Sequence, residues 1–230
     1  MNKKHVLLAF MAATLPVVLP SCLDDDDDSY VRFRPTAVVT VCPDEDGGFL
    51  MHLDDDTRLI PTNMKKAPYG GKEVRALVNY TETSAPERGI EMKYVEVNWL
   101  DSIRTKLPVE TLGDRNDEVY GNDEIEIVND WVTVAEDGYL TLRIRALWGE
   151  TQTTHYINLL TGVNPEDPFE LELRHDAKGD TYGRWGDALI AFNLNNLPRP
   201  EGDKTKIKLK WKSFNGEKTA EIDIRLRPRN

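Results

Sequence analysis

Strict two-residue alternation of apolar and charged side chains recurs along this chain, and it constrains the fold more than any other feature. In residues 169–174, Phe169, Leu171 and Leu173 alternate with Glu170, Glu172 and Arg174. Successive strand side chains point to opposite sides of a sheet, so this is the pattern of a half-buried strand. Residues 204–214 repeat it with Ile207, Leu209 and Trp211 between lysines, and residues 218–226 repeat it with Ile222, Ile224 and Leu226. Apolar spacings of three and four residues, which a surface helix needs, hardly occur. The chain is expected to be all-β.

Turn chemistry divides the strands. Glu136-Asp137-Gly138 separates residues 131–135 from 139–147, and Asn215-Gly216 separates 204–214 from 218–226; both pairs favour the left-handed backbone of tight hairpins. Further strands are expected at 30–41, 49–53, 58–60, 73–81, 91–100, 151–160 and 187–194. The strand at 73–81 would carry Val74, Ala76, Val78 and Tyr80 on one face. Residues 107–122 hold Pro108, Gly113, Asp114, Asn116, Asp117 and Gly121 with few large apolar side chains, which reads as a connection. This predicts one domain over 30–110, a linker at 111–122 and a second domain over 123–230, whose seven or so short strands suggest an antiparallel β-sandwich.

The N-terminus carries an address. Lys3 and Lys4 precede an apolar run from Val6 to Leu19 that Pro16 interrupts, too short for a bilayer span of about 20 residues but suited to a secretory signal at 1–21. Leu19-Pro20-Ser21-Cys22 resembles the lipobox of bacterial lipoproteins. That resemblance implies cleavage before Cys22, a diacylglycerol on its thiol and a further acyl chain such as palmitate on its amine. Each buried methylene contributes about 0.8 kcal/mol, so two or three chains anchor durably where one does not. Asp24, Asp25, Asp26, Asp27 and Asp28 follow directly. Residues 22–29 then form an acidic tether, and the aspartates resemble the surface-export signal of Bacteroidota lipoproteins, which implies lipid attachment at the outer membrane with the protein on the cell surface. A contiguous run lacks the alternating ligand spacing of a calcium loop.

Charge and cysteines narrow the function. A net charge of -11 repels phosphate backbones, so no nucleic-acid partner is expected. With Cys22 acylated, Cys42 has no disulfide partner; its neighbours Val39, Thr40 and Val41 place it on a strand as a small apolar residue without chemistry.

Two further stretches resemble a known family. Asn129-Asp130-Trp131-Val132-Thr133-Val134 with Gly138-Tyr139-Leu140-Thr141-Leu142 and Trp148-Gly149, then Phe169-Glu170-Leu171-Glu172-Leu173-Arg174-His175-Asp176 with Gly179-Asp180, are similar to the C-terminal domain of NigD-like lipoproteins of the Bacteroidota. The resemblance implies a small N-terminal OB-like barrel followed by a C-terminal β-sandwich. It also implies a proposed immunity role at a bacteriocin locus, and brings no catalytic residue or cofactor. An OB-like label does not import nucleic-acid binding to an acidic chain.

Candidate chemistry is sparse. His52, His155 and His175 have no metal-site spacing, so no metal or cofactor is expected, and no nucleophile elbow, phosphate loop or HExxH helix occurs; the chain is expected not to be an enzyme, a hydrolase being the least favoured reading. His175 and Asp180, with Asp176, either bind a divalent ion or orient a polar ligand at a strand end, or, as the favoured reading, cap the strand and build an Asx turn around Gly179. Asp54-Asp55-Asp56 reads as a charged hairpin loop. Of five tryptophans, Trp131 and Trp211 fall on faces that read as buried, whereas Trp148 and Trp185 fall at strand ends where an exposed indole could bind a ligand. The reading is a noncatalytic surface lipoprotein that binds a protein such as a toxin, with glycan capture through Trp148 and Trp185 as the alternative.

Overall fold

The computed structural model describes residues 36–83, 91–149, 152–199, 202 and 204–228. The expected signal, Cys22 and Asp24 to Asp28 lie outside the described residues. Strands β1 (Ala37–Pro43), β2 (Phe49–His52), β3 (Arg58–Pro61), β4 (Val74–Glu82) and β5 (Met92–Ser102) close a barrel in the order β1-β2-β3-β5-β4. Period-two alternation fills it: Val39 and Val41, Met51, Ala76 and Val78, and Val95 and Val97 point inward. Met92, Tyr94, Glu96 and Asn98 point out from β5.

The second unit begins earlier than residue 123. Strand β6 (Arg104–Lys106) pairs in parallel with β13 (Arg184–Asn193), and β7 (Val109–Glu110) pairs in parallel with β11 (Tyr156–Thr161). Each sheet of the sandwich thus takes an edge strand from the segment assigned to the first domain. Residues 111–122 are not a free linker either. They hold a 3-10 turn at Gly113–Arg115 and helix α1 (Asn116–Tyr120). Asn116 is buried, and Asp117 pairs with Arg174 at 2.6 Å. Pro, Gly and Asp mark this stretch as turn-rich, but the Asn116 side chain, which accepts the Leu112 N–H at 2.7 Å and donates to Thr111 at 2.8 Å, and the Asp117–Arg174 pair hold it, which composition alone does not reveal.

The remaining strands are β8 (Glu126–Val128), β9 (Val134–Glu136), β10 (Tyr139–Trp148), β12 (Glu170–Asp176), β14 (Lys204–Ser213) and β15 (Gly216–Arg225). One sheet runs β6-β13-β10-β8 with β9 also on β10; the other runs β15-β14-β12-β11-β7. Leu140 and Leu142 pair opposite Phe192 and Ile190, and with Leu159, Leu171, Leu173, Ile207, Leu209 and Ile224 they form the core between the sheets. The β12–β14 pair is parallel, because a long connection rather than a hairpin joins them.

Both expected hairpins form. Asp137 and Gly138 have φ of 54° and 72°, the type I′ conformation whose twist matches the strands. At the other, Ser213 pairs with Gly216, so Phe214 and Asn215 make the loop, one residue earlier than expected, and Gly216 at φ 98° takes the left-handed bulge position.

The barrel sits on the outer face of the β10 sheet. Val38 and Ile103 pack with Val132 and Ala191, and around them lies a polar network. The Arg75 side chain is fully buried; its guanidinium donates to Thr40 at 3.0 Å and Thr141 at 3.2 Å. Arg227, just after β15, donates to Glu73 of the barrel at 2.8 Å and to Asp137 of the sandwich at 2.7 Å. His52 Nδ1 lies 2.9 Å from Asp137, and the Asp137 N–H donates to Asp55 at 2.8 Å. The Tyr139 hydroxyl donates to Glu73. Burial alone would push the Asp137 carboxyl up, but hydrogen bonds from Arg227 and His52 hold it far below the usual carboxylate range. Cys42 borders this network, where burial and Glu73 push its thiol up to about 12, leaving it protonated and unreactive.

Candidate functional site at the distal end of the sandwich

The end of β10 away from the barrel gathers the singled-out residues. Trp148 ends β10 and Gly149 follows it, β11 starts after His155, β12 runs into the turn from His175 to Asp180, and β13 starts at Arg184. Trp148, Trp185, His175 and Asp180 therefore share one corner, although the sequence separates them widely.

Their roles differ. Trp148 is half-buried on the core-facing side of β10. Its indole lies over Gly186, where an added Cβ would come within 2.4 Å of the ring, and its ring centroid is 4.8 Å from that of His155. It closes the end of the core and is not an open binding platform. His175 and Asp180 are 2% and 3% exposed and serve as internal partners. The Asp180 carboxylate accepts the Gly149 N–H at 2.9 Å, and His175 Nδ1 lies 2.9 Å from the Glu124 carbonyl oxygen. The expected Asx turn is made by Asp176, which accepts the Lys178 N–H at 3.0 Å, with Lys178 and Gly179 at φ 53° and 84°.

Trp185 is the exposed member, at 55%. It rests edge-on against Phe214 of the β14–β15 loop, with centroids 4.8 Å apart and planes at 77°, a geometry aromatic quadrupoles favour. Tyr182 and Tyr156 are also exposed here, and the Lys178 ammonium lies 5.5 Å from the Tyr156 ring. The result is an aromatic rim around a polar, hydrogen-bonded centre. Trp131 departs from expectation. It lies in a turn before β9, is 54% exposed and sits apart from the corner; the Asp130 side chain, which accepts the Val132 N–H and bonds Arg143, holds that turn. Trp211 packs against the core as its strand face predicts.

Other surfaces offer less. A groove of about 280 Å³ crosses the outer faces of β12, β14 and β15. Most of its charges are matched: Lys210 and Lys208 bond Glu170 and hold its carboxyl at about 2, and Lys218 bonds Glu126 at 2.8 Å. Among the described residues, no group of three or more His, Cys, Asp or Glu side chains is placed to hold a metal ion. Sequence reasoning missed His155, which joins the corner only through cross-strand pairing. It also read Asp54-Asp55-Asp56 as a plain loop, whereas Asp55 and Asp56 both reach the sandwich.

Comparison with known proteins fits this architecture. Residues 38–103 match the NigD-like N-terminal OB domain, and residues 108–224 match the NigD-like C-terminal beta sandwich domain. The chain belongs to the NigD-like family. A solved structure from Parabacteroides distasonis, described as a putative toxin related protein, is 31% identical to this NigD-like chain with a TM-score of 0.70, covering 82% of this chain and 92% of that one. A NigD-like immunity protein from Bacteroides caccae shares the fold at 20% identity and a TM-score of 0.56, covering 82% and 93%. A putative lipoprotein from Bacteroides fragilis does so at 14% and 0.54, covering 84% and 98%. No curated protein matches.

Proposed function

We propose that this NigD-like chain is a noncatalytic lipoprotein, anchored through Cys22 at the cell surface and exported through Asp24 to Asp28, that binds a toxin or another envelope protein as an immunity or accessory factor. The observation that carries the reading is the aromatic rim of Trp185, Phe214, Tyr182 and Tyr156 at the end of the sandwich away from the barrel. Exposed aromatics of this kind anchor protein interfaces. The Parabacteroides structure is described as toxin related and the Bacteroides caccae one as an immunity protein, which supports a toxin as the class of partner. The barrel serves as a stalk between the anchor and that rim.

Trp185→Ala is the direct test. The side chain contributes little to the core, so unfolding free energy should stay within about 0.5 kcal/mol of the native value. Partner binding should weaken by about 30-fold or more, as loss of an interface hot spot of about 2 kcal/mol predicts. Deletion of the chain should sensitise the cell to the cognate toxin, and the Trp185→Ala form should fail to restore protection. Full protection by that variant would remove the rim from the account. Unchanged sensitivity on deletion would remove the immunity role itself.

The exposed indole of Trp185 also favours glycan capture as the second reading, since a flat ring stacks on a sugar face. Polysaccharide should then shift tryptophan fluorescence, and a flat titration across glycans excludes it. Trp148 cannot contribute while it packs over Gly186 and against His155.

A further inference from the structure

A buried chain of three titratable side chains runs under the distal corner. The Glu124 carbonyl oxygen lies 2.9 Å from His175 Nδ1, His175 Nε2 lies 2.9 Å from His155 Nδ1, and His155 Nε2 lies 3.3 Å from Asp180 Oδ2. The side chains of His155 and Asp180 are 2% and 3% exposed. Proton counting starts from the fixed end. A carbonyl oxygen only accepts, so His175 carries a proton on Nδ1.

Two neutral imidazoles and a carboxylate then leave the chain one proton short. If His155 donates from Nδ1 to His175, its Nε2 lone pair faces the carboxylate. If it donates from Nε2 to Asp180, two imidazole lone pairs meet at 2.9 Å. One additional proton removes the conflict wherever it resides, on either imidazole or on Asp180, and every contact becomes a hydrogen bond. That proton also leaves the three side chains together uncharged, which is what burial favours.

We propose that His155, His175 and Asp180 form a one-proton switch that fastens the distal corner: the protonated cluster makes every contact of the chain a hydrogen bond, and loss of the proton as pH rises sets two acceptors against each other beneath Trp148. Asp180 is the latch, because its other oxygen accepts the Gly149 N–H. Gly149 in turn lies so close to Tyr182 that an added Cβ would come within 2.5 Å of its ring. The Trp148 ring beside His155 favours a cation there. Burial pushes His175 toward its neutral form.

The neighbouring charges are matched in pairs. Asp176 bonds Lys178, Glu124 bonds Lys212 at 2.8 Å, and Lys178 also faces Tyr156. Asp123, whose carboxylate accepts the Ala177 N–H at 2.7 Å, faces His175. Hydrogen bonds with lysine hold Asp176 and Glu124 ionised and Lys178 protonated through the neutral range. The folded cluster binds a proton that an unfolded chain releases earlier, so stability is greatest at low pH within this window and falls as pH rises. The switch stands whatever partner binds at the rim.

The test uses the purified chain between pH 5.5 and 9.5, with imidazole nitrogen resonances, tryptophan fluorescence and thermal midpoint followed together. The expected result is a single step in which the His155 and His175 signals move together and fluorescence rises as the cation beside Trp148 is lost. The thermal midpoint should fall by about 5 °C across that step. Asp180→Asn discriminates. Its amide oxygen can keep the Gly149 bond while its NH2 donates to a neutral His155, so the variant needs no additional proton and its midpoint should stay flat. Trp148→Phe should abolish the fluorescence step and keep the thermal one. Both imidazoles already neutral at pH 6 in the native chain, or an Asp180→Asn midpoint that falls as the native one does, would overturn the proposal. The nitrogen resonances decide it on the native chain alone should Asp180→Asn fail to fold.

Discussion

Replacing Arg227 by methionine is expected to cost about 3–5 kcal/mol of unfolding free energy, the penalty for leaving a buried charge without its partner. Arg227 donates to Glu73 on one side and Asp137 on the other, and the Asp137 side chain is only 1% exposed. Methionine preserves the apolar stem and removes both bonds at once. The pH dependence gives a second reading of the same contact. Hydrogen bonds from Arg227 and His52 depress the Asp137 carboxyl against its burial. Its stabilisation is therefore complete above the ordinary value of 3.8 and drains away as pH falls below it toward the depressed folded value. Urea unfolding at pH 7 and pH 3 measures both. A variant within about 1 kcal/mol of the native chain at pH 7 would show that the interface does not need this guanidinium.

Gly183→Ala should be nearly as damaging, at about 3 kcal/mol from backbone strain plus overpacking. Gly183 has φ +100°, and an added Cβ would lie 2.5 Å from both the Gly149 Cα and the Trp148 carbonyl oxygen. Both are backbone atoms, which cannot rotate away as a side chain would. Gly179→Ala separates the two contributions. Gly179 has φ +84° with open space around its missing Cβ, so it should lose only the left-handed penalty of about 1–2 kcal/mol. Thermal unfolding of the pair checks the difference, and equal losses would mean that the close approach at the corner carries no energetic weight.

The fold was legible because the alternation at 169–174 and 204–226 survives directly as β12, β14 and β15. The β9–β10 turn was equally readable from Asp137 and Gly138. Asp137 also shows where such reading stops. Local pattern marks it as a turn residue, but its carboxylate is the hub of an interface assembled from Glu73, His52 and Arg227, which are remote in sequence. The early start of the sandwich was hidden for a related reason. Strands β6 and β7 are three and two residues long, too short for periodicity to declare itself, and each becomes a strand only because a longer neighbour offers an open edge.

At the distal corner, sequence reasoning named four residues that the fold brings together, and it could not sort them by exposure. Exposure of a tryptophan depends on which side of the strand end the next layer covers. Trp148 continues the core-facing parity of Leu140, Leu142 and Ile144, whereas Trp185 falls on the opposite parity from Ile190 and Phe192. That parity was available from the strand register, had the register been known. His155 gave no signal at all, since its value arises from a contact with His175 across a β11–β12 pair that begins next to it.

The way the chain passes from barrel to sandwich has a mechanical consequence. The segment from Arg104 to Glu110 is paired in parallel first to β13 and then to β11. A tension applied between the N-terminal side and the distal rim runs along these strands, so the ladder bonds are strained together and not one after another. The Arg227 and Arg75 contacts share the same load path across the interface. Such an arrangement resists being peeled open one ladder bond at a time.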